Sequence, residues 1–121
     1  MAYDPGLAER VRAQLAGLYG VEEKRMFGGL CFMLADHLCC GILRDTLVAR
    51  VGPLQYEQCL ALPHVRAMDF TGRALKGMLY VAPEATAEDA DLNQWLARCI
   101  AFVASLPPKP PKPVKSPKAA S

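Results

Sequence analysis

Apolar residues recur at helical spacing near both ends of the chain and gather into short runs between them. Leu7, Val11, Leu15, Leu18 and Tyr19 fall three or four residues apart, the stripe of one amphipathic helix. Asp4-Pro5 is its start: a carboxylate that accepts from the first free amides, then a proline whose fixed φ suits the first helical position. Gly17 weakens the last turn, and Gly20 is the expected C-cap. From Val21 the period shortens. Glu23–Phe27, Leu30–Ala35, Leu38–Leu43 and Thr46–Val51 read as four strands. The two-residue polar breaks Asp36-His37 and Arg44-Asp45 mark hairpins. In the fourth strand Leu47, Ala49 and Val51 alternate with Thr46, Val48 and Arg50, one buried face against one partly exposed face.

Gly52-Pro53 closes this run and opens a short helix, Leu54–Leu60, which Pro63 ends. Val65–Phe70 and Gly77–Ala82 are two more strands, joined by a turn around Thr71-Gly72-Arg73. Thr86-x-x-Asp89 resembles a capping box, with Asp in place of the usual Glu or Gln. It predicts a last helix from Ala87 to about Ser105, with Leu92, Leu96, Cys99 and Val103 as its stripe. The order is α-β-β-β-β-α-β-β-α. Strands grouped between helices, rather than alternating with them, predict an α+β domain with an antiparallel sheet of about six strands.

After Ser105 the composition changes. Residues 107–121 hold six prolines, four lysines and no acid, and they read as an extended, polyproline-like tail beyond a globular domain at 1–106. The net charge of +2 hides an asymmetry: every acidic residue precedes the tail, so the domain alone is slightly acidic. Any nucleic-acid contact therefore falls to Lys109, Lys112, Lys115 and Lys118, and four phosphate contacts make only weak, non-specific, salt-sensitive binding. The same tail, with Pro-x-x-Pro frames such as Pro108 to Pro111, also suits an aromatic groove of a protein partner, or serves simply as a solubilising extension.

No apolar run approaches the ~18 residues of a membrane span, and the N-terminus has no basic segment leading an apolar one. A cytoplasmic location without membrane contact is expected. The odd cysteine count, without a Cys-x-x-Cys pair, is no disulfide framework, and the thiols are expected to behave as small core hydrophobes. In a regular strand the neighbours Cys39 and Cys40 point to opposite faces, so at least one should be buried.

Three segments carry a resemblance. Arg25-Met26-Phe27-Gly28-Gly29 leads into the hairpin strands. Asp45-Thr46-Leu47-Val48-Ala49-Arg50-Val51 forms the fourth strand, and Lys76 to Glu84 forms the last strand and its exit. In this order and spacing, over roughly residues 5–105, the chain resembles the N-terminal domain of the TfoX (Sxy) family, regulators linked to bacterial competence. The resemblance implies an α+β fold similar to type III secretion chaperones and a regulatory context, with no catalytic residues to carry over. The described regulators often add a C-terminal helical domain, whereas here the lysine-proline tail follows.

Within these segments Arg25 and Lys76, with Arg50 and Arg73, are candidates for a small anion-binding or partner face beside the Gly28-Gly29 amides, provided their strands are neighbours. The alternative is that they are solvated residues pairing with Glu22, Glu23 or Asp69. The glycine pair lacks a phosphate-loop lysine or a following helix, so it reads as the corner that opens a sheet. His37 and Cys39, two apart, with Cys31 on the neighbouring strand and a remote His64, are the only metal-like grouping, and no cofactor is expected. Trp95, Tyr80, Phe27 and Phe70 read as core aromatics rather than a base-stacking platform. The expected function is a non-catalytic regulatory or protein-interaction module working through its sheet, with a protein partner or a second copy of itself. A weak nucleic-acid binder through the tail, and a small metal- or thiol-using protein, are the alternatives.

Overall fold

The computed structural model of the chain describes residues 3–26, 28–70 and 73–107, with only the backbone described at 70 and 73–76. Helix α1 (Pro5–Leu15) starts as the Asp4-Pro5 pair predicts: the Asp4 carboxylate accepts from the Gly6 amide at 3.0 Å. Strands β1 (Val21–Met26), β2 (Gly29–Leu34), β3 (His37–Leu43) and β4 (Thr46–Arg50) follow, then helix α2 (Pro53–Leu60). Strands β5 (Val65–Phe70) and β6 (Arg73–Val81) lead through a short 3-10 turn, Pro83–Ala85, into helix α3 (Asp89–Ala104). The strands form one six-stranded antiparallel sheet in the order β1-β2-β3-β4-β6-β5, the α+β architecture read from the sequence.

Alternation along the strands separates two cores. Leu30, Ile42, Leu47, Val81 and Val65 lie in one cross-sheet row, and Phe32, Cys40, Ala49, Leu79 and Ala67 in the next but one. Both rows pack against Leu7, Val11 and Leu15 of α1, Tyr56 and Cys59 of α2, and Leu92, Leu96, Cys99 and Val103 of α3. All three helices therefore cover the same face. The opposite face carries a smaller cluster made of strand residues alone: Val48, Met68, Met78 and Tyr80, flanked by half-buried Leu38 and Leu43. No helix lies over it among the described residues.

The structure departs from the sequence reading at four places. Helix α1 ends at Leu15 rather than running on to Tyr19; Leu18 is half-exposed and Tyr19 almost fully exposed. Gly17 makes continuation costly by about 1 kcal/mol, and Gly20, with φ of 80°, instead turns the chain into β1, its carbonyl accepting from Ala35 at 3.1 Å. The first hairpin turn is Ala35-Asp36, not Asp36-His37: both residues take positive φ, as a two-residue turn matching the strand twist requires, and His37 opens β3. Thr86 is not a helix cap. Its hydroxyl points back to the Pro83 carbonyl, and α3 starts two residues later after Glu88, with Asp89 and Asp91 in its first turn. Finally, β6 begins at Arg73, four residues before the predicted strand, because it pairs with β5 as far as Phe70 opposite Arg73. The turn residues Thr71 and Gly72 lie outside the described residues, as does Phe27.

Candidate functional site

The two glycines of the opening motif do different jobs. Gly28 has φ of 76°, the left-handed region in which a side chain costs roughly 1–2 kcal/mol. Gly29 opens β2 so close to β3 that a Cβ there would overlap the Ile42 carbonyl oxygen. The pair is the corner of a hairpin pressed against the next strand. It presents no following helix, so it is not a phosphate cradle.

Of the cations of the expected anion face, Arg25 and Arg50 are described with their side chains, and these two do not meet. Arg25 lies on edge strand β1 opposite Leu30, on the helix-covered side of the sheet, and its side chain is exposed. Arg50 belongs to a strap: its guanidinium donates to the Leu38 carbonyl at 3.1 Å and lies 5.2 Å from the centre of the Phe102 ring of α3. Lys76 belongs to β6, four strands across the sheet from the strand that carries Arg25. Arg73 and Lys76 are described by backbone position only, and Lys109, Lys112, Lys115 and Lys118 lie outside the described residues.

The metal-like grouping is dispersed as well. Cys31 faces the helix-free side, in the row of Gly41 and Val48, whereas Cys39 is buried in the helix-side core. A register shift between β2 and β3 makes Cys39 an extra residue, so the structure buries both Cys39 and Cys40 on the same side of the sheet. His37 turns its Nε2 to the Pro107 carbonyl, 3.1 Å away. Among the described residues no three His, Cys, Asp or Glu side chains assemble as ligands. All five thiols are buried; burial raises those of Cys31, Cys59 and Cys99, and the hydrogen bond with Cys39 together with burial raises that of Cys40 well above its ordinary value.

What the fold does bring together lies on the helix-free face. Lys24, Cys31, Gly41, Val48, Tyr80 and Arg66 form one row across all six strands. At the end of the sheet where the β3–β4 turn meets β5, a cavity of about 640 Å³ opens on this face. Arg44, Asp45 and Thr46 line it from the turn, Arg66 and Asp69 from β5, and Tyr80 from β6, with Leu43 and Gly28 completing it. The Arg66 guanidinium lies over the Tyr80 ring, 4.5 Å from its centre, a cation–π contact that fixes the charge against a buried aromatic wall. Gly28, Asp45 with Thr46, and Tyr80 come from the three resemblance-bearing segments, which converge here.

Of the cavity's residues the sequence singled out Gly28 as a site residue and Tyr80 as a core aromatic. Arg44 and Arg66 carried no local signal: one sits in a turn and the other in a short strand, and only the strand order β4-β6-β5 sets them around one hollow. Trp95, by contrast, is a core aromatic of α3, with Arg98 stacked 4.6 Å from its ring centre. No helix among the described residues is long and apolar enough to cross a membrane.

No curated protein and no solved structure matches the chain. The TfoX N-terminal domain family matches residues 13–103, a span that includes every residue lining the cavity. That match covers most of the 121 residues, and the chain belongs to the TfoX N-terminal domain family.

Proposed function

We propose that this chain is a regulatory protein-interaction module that engages a protein partner through the helix-free face of its sheet, in the competence-type regulation of a bacterial cytoplasm, and that it works without catalysis. The observation that carries this reading is the one-sided architecture. Three helices cover one face, while the other carries half-buried Leu38 and Leu43 over a small buried cluster, Val48, Met68, Met78 and Tyr80, with a charged cavity beside it. Accessible Leu38 and Leu43 beside charged side chains suit the mixed composition of a protein-binding surface. Nucleic acid fits this face less well, because Arg44 and Arg66 are balanced by Asp45 and Asp69. A non-catalytic role is supported by the thiols: the chain's main nucleophile candidates are packed in the interior rather than opened to the cavity.

The test compares surface variants in the native cell. Leu43→Glu charges the helix-free face, and Leu54→Glu charges a side chain of α2 that is 97% exposed on the other side. Full-length protein should capture a partner, or a second copy of itself, that Leu43→Glu loses and Leu54→Glu keeps, and only Leu43→Glu should reproduce the transcript changes of the gene deletion. Equal capture by both variants, or a deletion that leaves transcription unchanged, contradicts the proposal.

A further inference from the structure

The end cavity has a charge pattern that selects its occupant. The ion pairs among the described residues are Arg10–Asp89, Arg12–Glu9 and Arg12–Glu23, all away from it. Arg44, Arg66, Asp45 and Asp69 thus line one hollow without an ion-pair partner among the described residues. The Arg66 guanidinium sits 4.5 Å from the Tyr80 ring centre, and among the described residues no hydrogen bond takes its N–H groups, which are left for a ligand oxygen. Among the described residues Asp45 takes only the weak 3.4 Å contact of the neighbouring Thr46 hydroxyl. A volume of about 640 Å³ is within the range of sites that hold small molecules, roughly 300–1,000 Å³.

A ligand of one sign meets attraction from one pair of these groups and repulsion from the other. An anion drawn to the two guanidinium groups faces two carboxylates, and a cation the reverse. Only a ligand carrying both charges satisfies both sets. We infer that this cavity binds a small zwitterion, a free α-amino acid or a dipeptide, with its carboxylate on Arg66 and Arg44 and its ammonium on Asp69 and Asp45. Tyr80 and Leu43 provide the apolar wall for its side chain. The inference goes beyond partner binding and stands apart from it, since a ligand is measured on the isolated full-length protein.

Isothermal titration of the full chain against the free amino acids and a set of Gly-X dipeptides tests it, with acetate, inorganic phosphate and ethylammonium as single-charge probes. At least one zwitterion should bind one-to-one with Kd under ~1 mM, the range open to a ligand of this size. Arg66→Met, which keeps the stem over Tyr80, and Asp69→Asn should each weaken it about tenfold or more, the effect of removing one charged hydrogen bond. Arg44→Gln in the turn should do the same, and Arg98→Met on the Trp95 side of the molecule should change nothing. These cavity side chains are exposed, so circular dichroism and thermal midpoints of the variants should match those of the parent. Failure of every zwitterion to bind, a single-charge probe binding as tightly, or unchanged affinity in the three cavity variants overturns the inference.

Discussion

At the scale of single residues, the glycine pair shows how one short motif answers two physical demands. Gly28 meets a backbone demand, a left-handed φ, and Gly29 meets a packing demand, contact with the Ile42 carbonyl. The two substitutions should therefore differ. Gly28→Ala strains one residue and should cost about 1 kcal/mol. Gly29→Ala forces β2 away from β3, a backbone that cannot yield as a side-chain end can, and should cost about 3 kcal/mol. Urea denaturation of the two variants beside the parent measures both, and equal costs, or a larger one at Gly28, would show that the corner is not pressed on β3. The pair's presence was legible in the sequence as a sheet corner. The division of labour was not, because it depends on how near a non-adjacent carbonyl comes. Arg50 illustrates the same limit. Its sequence position marks it as a strand cation, and only the fold shows its guanidinium spent on the Leu38 carbonyl and the Phe102 ring.

At the scale of elements, straps between helices and strands set the frame. Arg10 of α1 reaches the start of α3, donating to the Thr86 carbonyl at 2.7 Å and to Asp89 at 3.0 Å. Arg12 ties the same helix to edge strand β1, at 2.6 Å from Glu23, and that hydrogen bond holds the Glu23 carboxyl below its ordinary value of 4.5. A carboxylate depressed in the folded state stabilises it above its unfolded pKa, and the benefit fades as pH falls through the lower, folded value. The parent should thus exceed Glu23→Gln in thermal midpoint at pH 7, and the two should converge as the pH drops well below 4.5. The pair is partly exposed, so the difference at pH 7 should stay within about 1 kcal/mol. A difference that persists or grows at acid pH would contradict the strap. Elements whose signals are local were legible: the Asp4-Pro5 start, the alternation in β4, and the Arg44-Asp45 turn. Those fixed by tertiary pairing were not. The first four residues of β6, Arg73-Ala74-Leu75-Lys76, have no alternating pattern of their own and become strand because β5 lies beside them. The extra residue in β3 at Cys39, which turns both neighbouring cysteines inward, leaves no mark in the local pattern either.

At the scale of the whole molecule, the described helices all cover the same side of the sheet. The helix count, the strand count and the α+β class followed from the order of runs along the chain, and the family from three motifs spread across it. The site did not, since the cavity is assembled by β6 crossing to lie between β4 and β5, a long-range choice of neighbour that no local spacing encodes. The described helices and the charged hollow give the molecule two unlike faces, and the proposed function puts the partner on the helix-free one. Hydrogen–deuterium exchange of the full-length protein, with and without its captured partner, tests that directly. The amides to watch are those of Gly28, the Arg44-Asp45 turn and edge strand β5, which border the helix-free cavity. Slowed exchange at these positions, with α1 and α3 unchanged, is the expected result; protection confined to α1 and α3, with the helix-free face exchanging as in the free protein, would contradict it.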